Sequence, residues 1–188
     1  MGGEADAGKW YDAAKATYTT LIDTKHTVSS AMQFVNVPSG VWIDEQGRVV
    51  RPAEASWTVN QTFNISGKAI VTEGEKYVAA LRDWVEKGDR SQYVLTDEQF
   101  RARVTPRSPT EMEAEASFKL AVWFQQAGQA DRAKTYFVRA QELNPGDWNY
   151  HRQQWNYEGQ ASGAKFRDKV NASEGSYYPK LDLEPKKD

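Results

Sequence analysis

The sequence predicts an α+β chain whose first half carries a small sheet and whose second half is helical. Val41-Trp42-Ile43, the turn Asp44-Glu45-Gln46-Gly47 and the return Arg48 to Arg51 read as a tight β-hairpin in which Gly47 tolerates positive φ. Glu73 to Lys87 sets Tyr77, Ala80, Leu81, Trp84 and Val85 at spacings of three and four, an amphipathic helix that covers the sheet and stops at Gly88. Ala114 to Asp147 then repeats small and aromatic residues at the spacing of a helix pair, beyond a charged segment with Pro106 and Pro109.

The remaining elements follow in chain order. Residues 9–16 are alanine-rich, with Trp10 and Ala14 on one helical face. Leu21-Ile22 reads as a short strand. Thr24 caps a helix carrying Val28, Ala31 and Met32 inward, and Val35 to Pro38 is extended because the residue before a proline avoids helical geometry. Residues 52–72 hold Pro52, Trp57, Phe63 and Gly67 without periodicity and read as a loop insertion. The expected organisation is 1–90 as the sheet-bearing part, 91–110 as a linker, 111–158 as the helical unit and 159–188 as a polar tail.

Composition narrows the function. With 188 residues, 39% of them hydrophobic, and seven tryptophans, the chain can bury one modest core or two small ones. A net charge of -2 with acids and bases well mixed lacks the clustered basic face that gathers nucleic acid or anionic membrane. No apolar run approaches the roughly 18 residues of a membrane span, and residues 1–20 lack the basic start and apolar core of a secretory signal. The compartment stays open, cytoplasmic by default. With no cysteine, disulfides, thiolate metal sites and intrinsic thiol redox catalysis are excluded, and no cofactor is expected.

Phe34 to Val50, with its Val37-Pro38 step, apolar strand, Asp-Glu-x-Gly turn and second strand, resembles the thioredoxin-like redoxins of the TlpA/ResA-like thiol-disulfide oxidoreductase branch. Tyr18 to Asp23 resembles that family's short strand and Thr27 to Gln33 the following helix, so the likeness spans roughly residues 9–87. The resemblance implies a partial thioredoxin-like fold of cis-proline loop, β-hairpin and covering helix. It also implies that Pro38 is cis and presents the Val37 backbone to an extended substrate. The family's Cys-x-x-Cys unit, with selenocysteine in some members, would lie before Trp10, which implies a longer redoxin with its catalytic unit upstream.

Leu120, Ala121, Phe124, Gly128, Ala133, Phe137, Ala140 and Pro145 fall in the register of a 34-residue tetratricopeptide repeat, with Ser117 where an aromatic is usual. The small residues let two helices approach, Phe124 and Phe137 fill the space between them, Gly128 turns the chain and Pro145 ends the second helix. A lone repeat falls short of the about three that a solenoid needs, so it leans on another surface. Trp148, Tyr150, Trp155 and Tyr157 would cap an exposed face, although such a cluster also suits stacking on sugars or bases.

His26 and His151 read as surface or capping residues without ligand-spaced neighbours, and no metal site is expected. Asp44-Glu45 and Asp97-Glu98 fit turn and cap contexts. Sequons at Asn60, Asn64 and Asn171 carry little weight without a secretory signal.

Three functions remain open. One is the C-terminal portion of a redoxin. The second is a non-enzymatic scaffold holding a polypeptide along Val37 and Pro38 and on a helix face of Glu115, Phe118, Val122, Gln125 and Gln126. The third is a structural subunit docked through its helices. An unpaired sheet edge would also favour self-association.

Overall fold

The computed structural model describes residues 3–65, 67–159, 163–172 and 181–183. Among them are eight α-helices and two antiparallel two-stranded sheets, a mixed α and β architecture. By contacts the chain forms two compact units, one of residues 1–35 and 107–166, the other of 36–106 and 167–188.

In the sheet-bearing unit, β1 (Ser39–Ile43) and β2 (Val49–Ala55) pair antiparallel around the Asp44 turn. The Asp44 carboxylate accepts from the Gln46 and Arg48 amides at 3.0 and 2.8 Å, which closes the hairpin. A second hairpin of β3 (Asn60–Ile65) and β4 (Lys68–Glu73) occupies the stretch expected to be a loop. Its strands were hidden because Asn60, Gln61, Thr62 and Asn64 are exposed, so no alternation marks a buried face. One of its sequons, at Asn64, ends on Ser66, outside the described residues.

Helix α3 (Gly74–Lys87) follows at once and ends on Gly88 at φ 57°. Its Tyr77 and Ala80 are buried with Trp42, Val50 and Val94, and Trp84 stacks on Trp42 at 5.1 Å. Val85, expected on the same stripe, is 75% exposed. Arg51, fully buried beside Trp42, donates to Glu54 at 2.9 and 2.8 Å and to the carbonyls of Tyr93 and Asp182, both at 2.7 Å. A buried guanidinium is tolerated because its donors are answered in this way. The expected linker contains a 3-10 turn (Gly88–Arg90) and α4 (Asp97–Arg103), started by a capping box of Thr96 and Gln99.

The helical unit opens with α1 (Gly3–Ala14), whose Trp10 is exposed. Leu21-Ile22 forms no strand: no partner strand lies beside it among the described residues, and both side chains are exposed. The next helix, α2 (Thr27–Ala31), starts three residues after Thr24, and Val28 and Ala31 face outward. Asp23 rather than Thr24 serves its start, accepting from the Thr27 and Ser29 amides at 2.7 and 2.9 Å.

Helices α5 (Pro109–Gln126) and α6 (Ala130–Leu143) form a hairpin about Gly128, at φ 73°. Ala114, Phe118, Ala121, Val122, Ala133, Phe137 and Ala140 make its core with Tyr150 of α7 (Trp148–Tyr157). Leu120, placed inward by the spacing, is exposed. The expected tail contains α8 (Ala164–Ala172); Ser173 of its sequon lies outside the described residues. No helix among the described residues is long and apolar enough to cross a membrane.

Candidate functional site

A cluster of buried and half-buried polar side chains lies within the helical unit, where residues 23–34 meet α5 and α7. Asp23 fixes the start of α2 and His26 takes left-handed backbone geometry at φ 54°. The His26 ring meets the edge of Phe118 at 5.0 Å, and its Nε2 lies 3.2 Å from Gln153 Oε1. Arg107 donates to the Ser30 carbonyl at 2.5 Å, and Asn149 donates to the Phe34 carbonyl.

Asp147 caps α7 by accepting from the Asn149 amide at 3.0 Å, where Pro145-Gly146 has ended α6 and released the chain. One turn on, the Tyr150 hydroxyl donates to Glu115 Oε2 at 3.2 Å, and Lys119 pairs with Glu115 Oε1 at 3.2 Å. His26, Arg107, Glu115, Asp147, Asn149 and Tyr150 line a half-open pocket of about 10 Å³, room for one water molecule.

Burial dominates the electrostatics. It pushes the Asp147 carboxyl up to about 7, with Glu115 adding repulsion against the lowering by the Asn149 amide. For Glu115 burial alone acts upward, yet hydrogen bonds from Ser30 and Lys119 and the Arg107 charge hold it below the ordinary carboxylate value. Burial lowers His26, which is therefore neutral near pH 7, and raises the Tyr150 hydroxyl, which stays protonated. The cluster thus presents one ionised carboxylate, one that exchanges its proton near neutrality, a guanidinium and a neutral imidazole. No group of three metal-binding side chains occurs among the described residues.

Of the residues expected on the polypeptide-holding helix face, Glu115 and Phe118 line this cluster. Phe118 and Val122 are buried at 2% and 8% exposure, Gln125 is half-buried and Gln126 is exposed. Val37 and Pro38 belong to the other unit; their peptide bond is cis, and Val37 is exposed. Sequence reasoning missed Arg107, Asp147 and Asn149 and gave His26 only a surface or capping role. Asp147 had a readable cap signal, an acid just before a helix, but nothing local announces the neighbours that bury it.

A second feature lies on the opposite side of α5. Met112, Ala116, Leu120 and Trp123 follow one another at steps of four, four and three, and all are exposed. The helix is therefore apolar on two faces, one in the core and one open. Comparison of the chain with protein-family models, with curated proteins and with solved structures finds no match in any of the three.

Proposed function

We propose that this chain is a redoxin-related, polypeptide-binding protein with no thiol chemistry of its own, and that its helical hairpin holds the partner. The observation that carries the reading is the outer face of α5, where Met112, Leu120 and Trp123 are 55%, 42% and 57% exposed. Contiguous exposed apolar residues are uncommon on surfaces that bind nothing, and Met and Trp are enriched where proteins meet. Ala116 leaves a hollow between the larger side chains, and a straight ridge of this spacing fits an amphipathic helix lying alongside. Glu113 and Lys119 flank the ridge, each already paired within the hairpin, to Arg139 and Glu115.

The absence of cysteine supports a binding rather than a redox role for these 188 residues. The Val37-Pro38 backbone is the alternative place for an extended peptide, and the two places are separable by substitution.

The test is binding of a library of amphipathic helical peptides to the full chain. Leu120→Glu with Trp123→Glu is expected to weaken binding at least about tenfold, the equivalent of roughly 1.4 kcal/mol, because buried apolar contact is replaced by charge. Both side chains are exposed, so the fold should stay intact by circular dichroism. No binding by any library peptide, or binding unchanged in the double variant, overturns the assignment.

A further inference from the structure

Residues 23–34 sit on α5 and α7 in the manner of a bound peptide. Two of their backbone carbonyls, Ser30 and Phe34, accept from side chains of the helical unit, Arg107 and Asn149, while one ring, His26, fills the place beside Phe118 and reaches Gln153. The strap's own shape is held from inside. Asp23 takes the Thr27 and Ser29 amides, and Ser30, Met32 and Phe34 donate to the His26, Val28 and Ser29 carbonyls at 3.1, 2.9 and 2.8 Å.

The apolar contribution of α2 to this seat is small: no residue of α2 is buried and Val28 is 49% exposed, while Met32 and Phe34 after it are half-buried. Lifting the strap exchanges a few hydrogen bonds for water, each a small net loss. It also bares Phe118, which is 2% exposed in the closed chain. The boundary between the two compact units falls at Val35/Asn36, where the strap ends, and Val35 and Val37 are exposed there. Upstream, Tyr18 and Leu21 are exposed as well, so little apolar burial ties down the other end.

We propose that the face of α5 and α7 carrying Phe118, Asn149 and Gln153 also accepts the 23–34 strap of a second copy of this chain, giving a dimer by strap exchange. The occupant is a second copy because the contacts on that face are the strap's own. An identical strap restores each of them, and monomer and dimer differ only in chain connection and in the concentration of available straps. The proposal uses the opposite side of α5 from the ridge of Met112, Leu120 and Trp123, so the two stand or fall separately.

Because the chain has no cysteine, thiols can be placed at will. One copy carries His26→Cys and the other Gln153→Cys; they are mixed over a range of concentrations and joined with a short bis-maleimide linker. A covalent dimer that grows with concentration is expected, alongside full linkage within the monomer when both changes are made in one chain. Asn149→Ala removes a contact broken on opening and made again on closing. It should therefore speed the approach to the dimer up to about tenfold and leave the final yield unchanged.

No covalent dimer at any concentration, failure of the single-chain pair to link, or a rate that Asn149→Ala does not move overturns the proposal. The unaltered chain supplies a readout free of variant misfolding: its light-scattering mass should rise towards a dimer at high concentration and relax slowly on dilution. A monomer mass throughout overturns the proposal equally.

Discussion

Asp147 shows how far one carboxyl in this molecule departs from its behaviour in a free chain. Burial beside Glu115 raises it from 3.8 to about 7. Between those values the folded chain keeps a proton that the unfolded chain has lost, so the stabilisation from this group is complete below 3.8 and is lost as pH rises through about 7. His26 acts in the other direction. It is lowered from 6.5, mainly by burial, so its contribution is present above 6.5 and is lost as pH falls. The two oppose each other across mildly acidic pH, and wild-type stability alone hides both.

Asp147→Asn separates them, because asparagine caps a helix about as well as aspartate but does not ionise. Stability of the variant relative to wild type is expected to improve by on the order of 2 kcal/mol between about pH 5 and pH 8. Denaturant unfolding at a series of pH values measures it; a difference independent of pH would show that Asp147 is ionised throughout.

At the scale of elements, Gly74 sets two tendencies against each other. It is the first residue of α3, and alanine in a helix is favoured over glycine by roughly 0.5–1 kcal/mol. A Cβ on Gly74, however, would lie 2.1 Å from the Val59 amide nitrogen and 2.5 Å from the Thr58 carbonyl carbon, both backbone atoms. The clash wins, and Gly74→Ala should destabilise the chain by about 1–3 kcal/mol. Gly8→Ala in α1, with nothing within 4 Å of its Cβ, should be neutral or slightly stabilising. Thermal unfolding of both variants is the check, and equal midpoints would refute the close approach at Val59.

The same scale explains what the sequence made legible. α3, α5 and α6 were readable because each has a buried stripe and a local stop, Gly88, Gly128 or Pro145, and β1 and β2 because the Asp44 to Gly47 turn joins two short apolar runs. β3 and β4 were not, since polar residues occupy both faces, and α2 was misplaced because five residues with none buried leave no period to read. Asp147 had a local cap signal, but its chemistry depends on Arg107, Glu115 and residues 23–34, and no window of the sequence contains them all. Phe34 to Val50 hold the readable hairpin and the proline loop, whereas the polar cluster is assembled from residues 23–34, Arg107, Glu115 and Asp147 of the helical unit.

The whole molecule is organised around two separate cores. Phe137, 1% exposed, packs with Phe118, Ala121 and Ala133 in the helical unit. Trp42, 2% exposed, packs with Val50, Tyr77 and Ala80 in the sheet-bearing unit and donates its indole N–H to Tyr77 at 3.0 Å. Truncating either ring to alanine removes a large buried surface and is expected to cost about 3–5 kcal/mol. If each core holds its own unit, amide hydrogen exchange will show the damage locally. Phe137→Ala should strip protection from α5, α6 and α7 while leaving β1, β2 and α3 protected, and Trp42→Ala should do the reverse. The result bears on function, because a scaffold can release one unit to a partner only if the other survives alone. Uniform loss of protection across both units in either variant would mean one cooperative core, and would remove the basis for treating the helical unit as a separable docking element.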